Sequence, residues 1–192
     1  MIPFNLDDII GHGLEIPKNA ISIKIKNAPD IFAKAFQYLL DMQGRKYVHK
    51  DGYEKIIAWL SDNESKGLLL LGNCSLGKTF ITRYVMPAIL LKYTNIVLKS
   101  YDLNRDSIET ILSKKICVID DVGTEDVKNE YGTKRMAFSE IVDNAEKNSN
   151  LLIITTNLTG DEIKTRYGLR VYERLIAITT QVAIKGTSER VK

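Results

Sequence analysis

Apolar residues recur along the chain with two different periods, and the periods separate helices from strands. From Pro29-Asp30 through Gln43, Ile31, Phe32, Ala35, Phe36, Leu39 and Leu40 fall at i, i+1, i+4, i+5, i+8 and i+9. That spacing gives one stripe of an amphipathic helix. Tyr53, Ile56, Ile57 and Leu60 share a face over about Gly52–Ser61, and Phe80–Tyr93 also reads as helical. Elsewhere, short uninterrupted apolar runs end at Leu71 and cover Asn95–Lys99, Ile116–Asp120 and Leu151–Thr156. Such runs are expected of parallel strands covered on both faces. Gln181–Lys185 is a further strand candidate, and Lys134–Lys147 reads as a helix preceding the Leu151–Thr156 strand. Residues 1–28 mix apolar runs with Gly and Pro and show no period, which predicts an irregular arm with a short strand at Ala20–Ile25. Strand–helix alternation of this kind predicts a doubly wound α/β sheet.

One strand leads directly into chemistry. Residues 68–79 read Leu-Leu-Leu-Leu-Gly-Asn-Cys-Ser-Leu-Gly-Lys-Thr, a buried-strand run followed by the phosphate-binding pattern G-x-x-x-x-G-K-T. Gly72 and Gly77 leave room for backbone amides to close around phosphate oxygens. Asn73, Cys74, Ser75 and Leu76 form the loop between them, and Phe80 continues into the helix whose N-terminal dipole faces the phosphates. Lys78 supplies a positive charge to the β/γ-phosphates, and the Thr79 hydroxyl joins the shell of Mg²⁺. The expected ligand is therefore a nucleoside triphosphate with Mg²⁺.

Composition narrows the setting without adding chemistry. The chain has 192 residues, 44% apolar and 27% charged, which suits one globular domain. No run reaches the ~18 apolar residues of a membrane span. The start, Met-Ile-Pro-Phe-Asn-Leu-Asp-Asp, carries acids where a signal peptide carries bases, so a cytoplasmic location is expected. A net charge of +3 decides little about nucleic acid. Lys164, Arg166, Arg170, Arg174, Lys185, Arg190 and Lys192 make the C-terminal part more basic, in the scattered manner of a solvated face. Two cysteines, Cys74 and Cys117, without metal-ligand spacing argue against a disulfide framework and a zinc site.

Three further constellations bear on the phosphate loop. Ile116-Cys117-Val118-Ile119-Asp120-Asp121 is an apolar strand ending in two carboxylates, and strand ends of parallel sheets border the ligand crevice. Asp120 is placed to hold Mg²⁺ against Thr79. Asp121, expected to point the other way, is placed to polarise the water that attacks the γ-phosphate. Alternatively, the two acids merely open a loop. Leu151–Asn157 is a strand with Asn157 at its tip, within reach of the attacking water or the γ-phosphate unless Thr-Asn simply caps Leu158–Ile163. Arg170 and Arg174 stand four apart, hence on one helix face. They either pair with surface acids or reach a neighbouring subunit's nucleotide as arginine fingers do.

In this order and spacing the chain resembles AAA+ ATPases of the DnaC/IstB-like clade of helicase loaders and transposition ATPases. The resemblance rests on Gly72–Thr79, then Val118-Ile119-Asp120-Asp121-Val122-Gly123-Thr124-Glu125, then Ile154-Thr155-Thr156-Asn157-Leu158. It closes with Tyr167-Gly168-Leu169-Arg170-Val171-Tyr172-Glu173-Arg174-Leu175 and Gly186-Thr187-Ser188-Glu189-Arg190, covering roughly residues 47–190. It implies a P-loop NTPase (AAA+/ASCE) three-layer sandwich with a mainly parallel five-stranded sheet and no C-terminal lid domain. Residues 1–46 would form an N-terminal arm with a short helix, available for partner contact or for core packing, and 47–192 the ATPase core. Lys78 and Thr79 become the nucleotide and Mg²⁺ residues, Asp120 the metal-side acid, Asp121 the hydrolytic base and Asn157 sensor one. Arg174 becomes the trans-acting finger, with Arg170 the close alternative. Turnover would be slow and assembly-dependent, in a homo-oligomer sharing nucleotide between subunits. A replicative helicase, or another replication or transposition protein, is the implied partner. Relatives that grip single-stranded DNA carry a longer helical insertion where Tyr101–Lys115 has fifteen residues, which shifts the expectation from DNA towards protein. Tyr47 and Val48 are adenine-pocket candidates. Two other functions fit the same residues: a small P-loop kinase, and a non-hydrolysing ATP-switched adaptor.

Overall fold

Strands buried on both faces must send alternate side chains into two separate cores, and the apolar runs of this chain do so. The computed structural model describes residues 19–72, 77–126, 128–130 and 133–184. In chain order they form α1 (Ala28–Asp41), α2 (Tyr53–Ser61), β1 (Gly67–Leu71), α3 (Lys78–Phe80), a π-helical turn (Ile81–Val85) and α4 (Met86–Thr94). Then come β2 (Ser100–Tyr101), α5 (Ile108–Leu112), β3 (Ile116–Val122), β4 (Lys128–Glu130), β5 (Thr133–Arg135) and α6 (Ala137–Asn148). The last elements are β6 (Leu151–Thr156), α7 (Gly160–Tyr167), α8 (Leu169–Ile178) and β7 (Thr179–Ala183).

Five strands pair in the order β2-β3-β6-β1-β7, all parallel. Leu68, Leu70, Val118, Leu151, Ile153 and Val182 face α1, α2 and the helix after β1. Leu69, Cys117, Ile119, Leu152 and Ile154 face α5 to α8. The result is the expected three-layer sandwich. The α1 stripe enters the first core through Phe32, Phe36 and Leu40, alongside Tyr53, Ile56, Trp59 and Leu60 of α2. Each such side chain, fully buried, contributes about 1.5–3 kcal/mol. Trp59 keeps its indole satisfied by donating to the carbonyls of Lys66 (2.9 Å) and Gly67 (3.0 Å). No helix among the described residues is long and apolar enough to cross a membrane.

Several expected elements differ, each for a local reason. Ala20–Ile25 is not a strand. Its partners are the end of α2 and a buried side chain: Ile25 N–H donates to the Leu60 carbonyl (3.0 Å) and Ile23 N–H to Asn63 Oδ1 (2.7 Å). Asn95–Lys99 is not a strand either. The chain leaves α4 with Asn95 in the left-handed region (φ 57°), Ile96 N–H turns back to the Leu90 carbonyl (3.3 Å), and pairing with β3 starts only at Lys99. The edge strand that remains is Ser100–Tyr101. The helix expected from Lys134 starts at Ala137, because 133–135 pair with 128–130 as an antiparallel hairpin. The last strand lies at Thr179–Ala183 instead of Gln181–Lys185, and Lys185 is outside the described residues, as is the Gly186–Arg190 run. The Tyr101–Lys115 link contains a single short helix, α5.

Candidate functional site

The C-terminal ends of β1, β3 and β6 meet at one point, and β6 lies between the other two. Gly72 (φ 150°) and Gly77 (φ 87°) hold conformations that L side chains rarely adopt, and Gly77 leads straight into α3. Asn73, Cys74, Ser75 and Leu76 lie outside the described residues. Lys78 is buried, and its Nζ donates to the Gly72 carbonyl (2.5 Å) and to Asn157 Oδ1 (2.9 Å). Asn157 Nδ2 donates in turn to Asp121 Oδ1 (2.8 Å). On the other branch, the hydroxyls of Thr79 (3.3 Å) and Thr155 (2.6 Å) both donate to Asp120 Oδ1. The loop lysine, the strand-end acids and the strand-tip asparagine therefore form one connected cluster. The Leu158–Ile163 segment has its own cap: Thr159 and Glu162 close a capping box on α7, leaving Asn157 to the cluster.

Consecutive strand residues ordinarily face opposite ways, so the strand pattern predicts Asp121 pointing away from Asp120. A register shift between Ile119 and Val122 changes that. Asp121 takes a left-handed backbone (φ 57°), a conformation Asp tolerates better than most residues, and the bulge re-aims its side chain. Both carboxylates then join the same network, since Thr155 Oγ1 donates to Asp120 and accepts the Asp121 N–H (2.8 Å). Thr156 closes the bulge by donating to the Val122 carbonyl (2.6 Å). Backbone strain held at a functional position costs on the order of 1–3 kcal/mol and persists only where the surroundings fix it.

Arg83 joins the site without a motif to mark it, and Glu125 and Tyr167, which belong to the runs that carry the family resemblance, take a contact role that those runs did not assign. Arg83 Nη2 lies 3.0 Å from Asp120 Oδ2. Its only sequence signal is the four-residue spacing from Thr79, which places both on one helix face. Glu125, buried at 8% exposure, accepts from the Gly123 N–H (2.7 Å) and from the Tyr167 hydroxyl, while Arg166 Nη2 donates to the Glu125 carbonyl. Burial, with the Glu125 carboxylate beside it, holds the Tyr167 phenol well above its usual range. This lock ties the loop after β3 to the end of α7. Arg170 and Arg174 have different surroundings despite sharing α8. Arg174 pairs with Asp143 and with Glu146 (2.9 Å) of α6, whereas Arg170 is exposed and has no partner among the described residues.

Beside Gly77 a small pocket is lined by Phe36, Leu40, Val48, Tyr53 and Phe80 together with the basic residues Arg45, Lys46 and Lys50. Val48 lines it directly; Tyr47 packs behind, its ring 5.2 Å from Phe36 and 6.2 Å from Tyr53. Thr79 and Asp120 face each other with two hard oxygens at 3.3 Å, a donor set that suits Mg²⁺.

A phosphate-loop lysine, two strand-end acids and an asparagine on an inserted central strand define a P-loop NTPase of the additional-strand class. A family model described as Novel STAND NTPase 3 matches residues 47–167, and the chain belongs to that family. The fold is shared with solved structures of DnaI (18% identical, TM-score 0.54, 72% of this chain and 88% of that one) and of the DnaC helicase loader (18%, 0.52, 89% and 94%). It is also shared with a primosome component from Streptococcus pyogenes serotype M3 (16%, 0.52, 88% and 88%). At these identities the likeness carries the fold alone. Comparison with curated proteins gives no match.

Proposed function

We propose that this chain binds ATP with Mg²⁺ and hydrolyses it slowly, within an assembly of its own copies that recruits a protein partner. The observation that carries the reading is the Gly72–Lys78–Asn157–Asp121 chain of hydrogen bonds, lying against the Thr79–Asp120 pair. In it Lys78 holds two oxygens of its own chain. Phosphate oxygens would replace them, taking the ammonium without moving it far. Asn157 and Asp121 then face the γ-phosphate together: Asn157 orients a water and Asp121 accepts its proton as the water oxygen bonds to phosphorus and the bond to the β-phosphate oxygen breaks. Thr79 and Asp120 would hold Mg²⁺, which when bound neutralises charge on the transferred phosphoryl group. The adenine is assigned to the side of the loop where Phe36, Val48 and Phe80 line the pocket beside Gly77.

A further positive charge at the γ-phosphate is assigned to α8 of a neighbouring copy. Arg174 occupies the position implied by the resemblance and must leave Asp143 and Glu146 to reach outward; Arg170 is already exposed. The helicase-loader fold supports a replicative helicase, or another replication or transposition protein, as the recruited partner.

Lys78→Ala is expected to reduce affinity for a fluorescent ATP analogue by at least about 100-fold, the loss of a charge-assisted contact to phosphate. Unchanged affinity would remove the P-loop assignment. Light scattering after size exclusion, with and without a non-hydrolysable analogue, tests assembly: a mass that does not respond to nucleotide would reject it.

A further inference from the structure

Asp120 has both carboxylate oxygens engaged by its own chain. Oδ1 accepts from Thr79 and Thr155, and Oδ2 is paired with Arg83 at 3.0 Å. The acid is nearly buried, at 7% side-chain exposure, and its ion-pair partner Arg83 is half exposed. The helix is built irregularly at this residue. Pro87 has no N–H to return to the Arg83 carbonyl, and the ladder over Ile81–Val85 widens to π spacing, with Met86 N–H reaching the Ile81 carbonyl. Arg83 also lines an open groove with Tyr84, Lys99, Asp102, Arg105 and Asp106. Two acids, Asp102 and Asp106, therefore share a groove with Arg83, and Asp120 is not among its lining residues. Asp102 pairs loosely with Arg105 (3.5 Å), and Asp106 accepts the Asp102 N–H (2.8 Å).

We infer that Arg83 is a resident counter-ion on the metal-side carboxylate, which turns towards Asp102 and Asp106 when Mg²⁺ arrives with the nucleotide, and so sets how much Mg²⁺ the site requires. The inference rests on the P-loop reading above. One carboxylate cannot serve a guanidinium and a divalent cation at full strength, because the two cations repel at that distance. Arg83 thus weakens the pull of Asp120 on Mg²⁺. Without metal, it shields the nucleotide phosphates from the Asp120 charge.

The two effects have opposite signs, which makes them measurable apart. Arg83→Gln keeps a donor at Asp120 without the charge, and Arg83→Lys keeps the charge without the planar fork. Binding of a fluorescent ATP analogue is titrated in EDTA and across a Mg²⁺ series. Arg83→Gln is expected to bind more weakly in EDTA yet reach half of its Mg²⁺-dependent tightening at about 2- to 5-fold lower Mg²⁺, the size of an exposed ion pair. Arg83→Lys should stay close to wild type in both. A Mg²⁺ midpoint that is unchanged or raised in Arg83→Gln would overturn the inference; a raised one would mean that Arg83 positions Asp120 for the metal. Absence of binding by the wild type would overturn the P-loop reading itself, and this inference with it. Thermal melts of both variants verify the fold, since Arg83 is too exposed to carry much of the core.

Discussion

Cys117 shows how far the sheet changes the chemistry of one residue. It is 1% exposed in β3, and burial pushes its thiol up to about 12. An unfolded thiol ionises near about 8.5. Between those values the folded chain keeps a proton that the unfolded chain releases, so this contribution to stability is whole below about pH 8.5 and is lost as the pH climbs towards 12. The slope is about 1.4 kcal/mol per pH unit at its steepest. Tyr167, raised by burial and by Glu125, acts in the same direction at higher pH. Cys117→Ala removes the first contribution alone. Urea unfolding at about pH 8 and about pH 10 should show the wild type losing more stability than the variant; equal losses would contradict the burial account. Residues of this sort divide by how locally they are determined. Lys78, Thr79 and Asp120 were legible because a short backbone pattern fixes each one. Arg83 was not, because its partner Asp120 stands on a different element, the end of β3. The Glu125–Arg166 contact spans 41 positions, and nothing within either segment announces the other.

At the scale of elements, the central strands were legible and the margins were not. Strands β1, β3 and β6 are buried on both faces, so their apolar runs admit no other reading. The edge strand β2 has one neighbour, and its length is decided by how the chain leaves α4 rather than by its own composition. The β4–β5 hairpin carries no apolar pattern at all. One central contact depends on a single residue. A Cβ at Gly67 would lie 2.2 Å from the Leu152 carbonyl oxygen, which belongs to the backbone of the neighbouring strand and cannot turn aside. Gly67→Ala must therefore push β1 away from β6, and with it the strand end that launches the phosphate loop. The expected cost is about 2–3 kcal/mol. A urea midpoint equal to that of the wild type would show that the sheet accommodates the methyl group. If Gly67→Ala also loses nucleotide affinity at temperatures where it remains folded, the spacing of β1 and β6 sets the distance between Lys78 and Asn157.

For the whole molecule, the decisive question is whether one copy completes a catalytic site. The cluster at Lys78, Asp120, Asp121 and Asn157 belongs to a single chain, and three of the arginines among the described residues are held away from the Lys78–Asn157–Asp121 branch, where the γ-phosphate is expected. Arg83 is held on the metal side, Arg166 on Glu125 and Arg174 on Asp143 and Glu146. The proposed head-to-tail assembly would supply a free one by bringing α8 of one copy to the strand ends of the next, an interface in which each site would combine two different surfaces. Two defects would then complement each other. Asp121→Asn disables the water-activating half and Arg174→Ala the donated half, each expected to lower turnover by about 10³-fold or more while leaving nucleotide binding intact. Mixed in equal amounts, the two variants form some interfaces that join the intact cluster of one to the intact arginine of the other. Random mixing makes these about a quarter of the total, so activity should return to a corresponding fraction of the wild-type rate and depend on total protein concentration. A mixture no more active than its components would confine the site to one chain or assign the donated charge to Arg170. The same experiment with Arg170→Ala separates those outcomes, because only the residue that crosses the interface can be supplied by a partner copy.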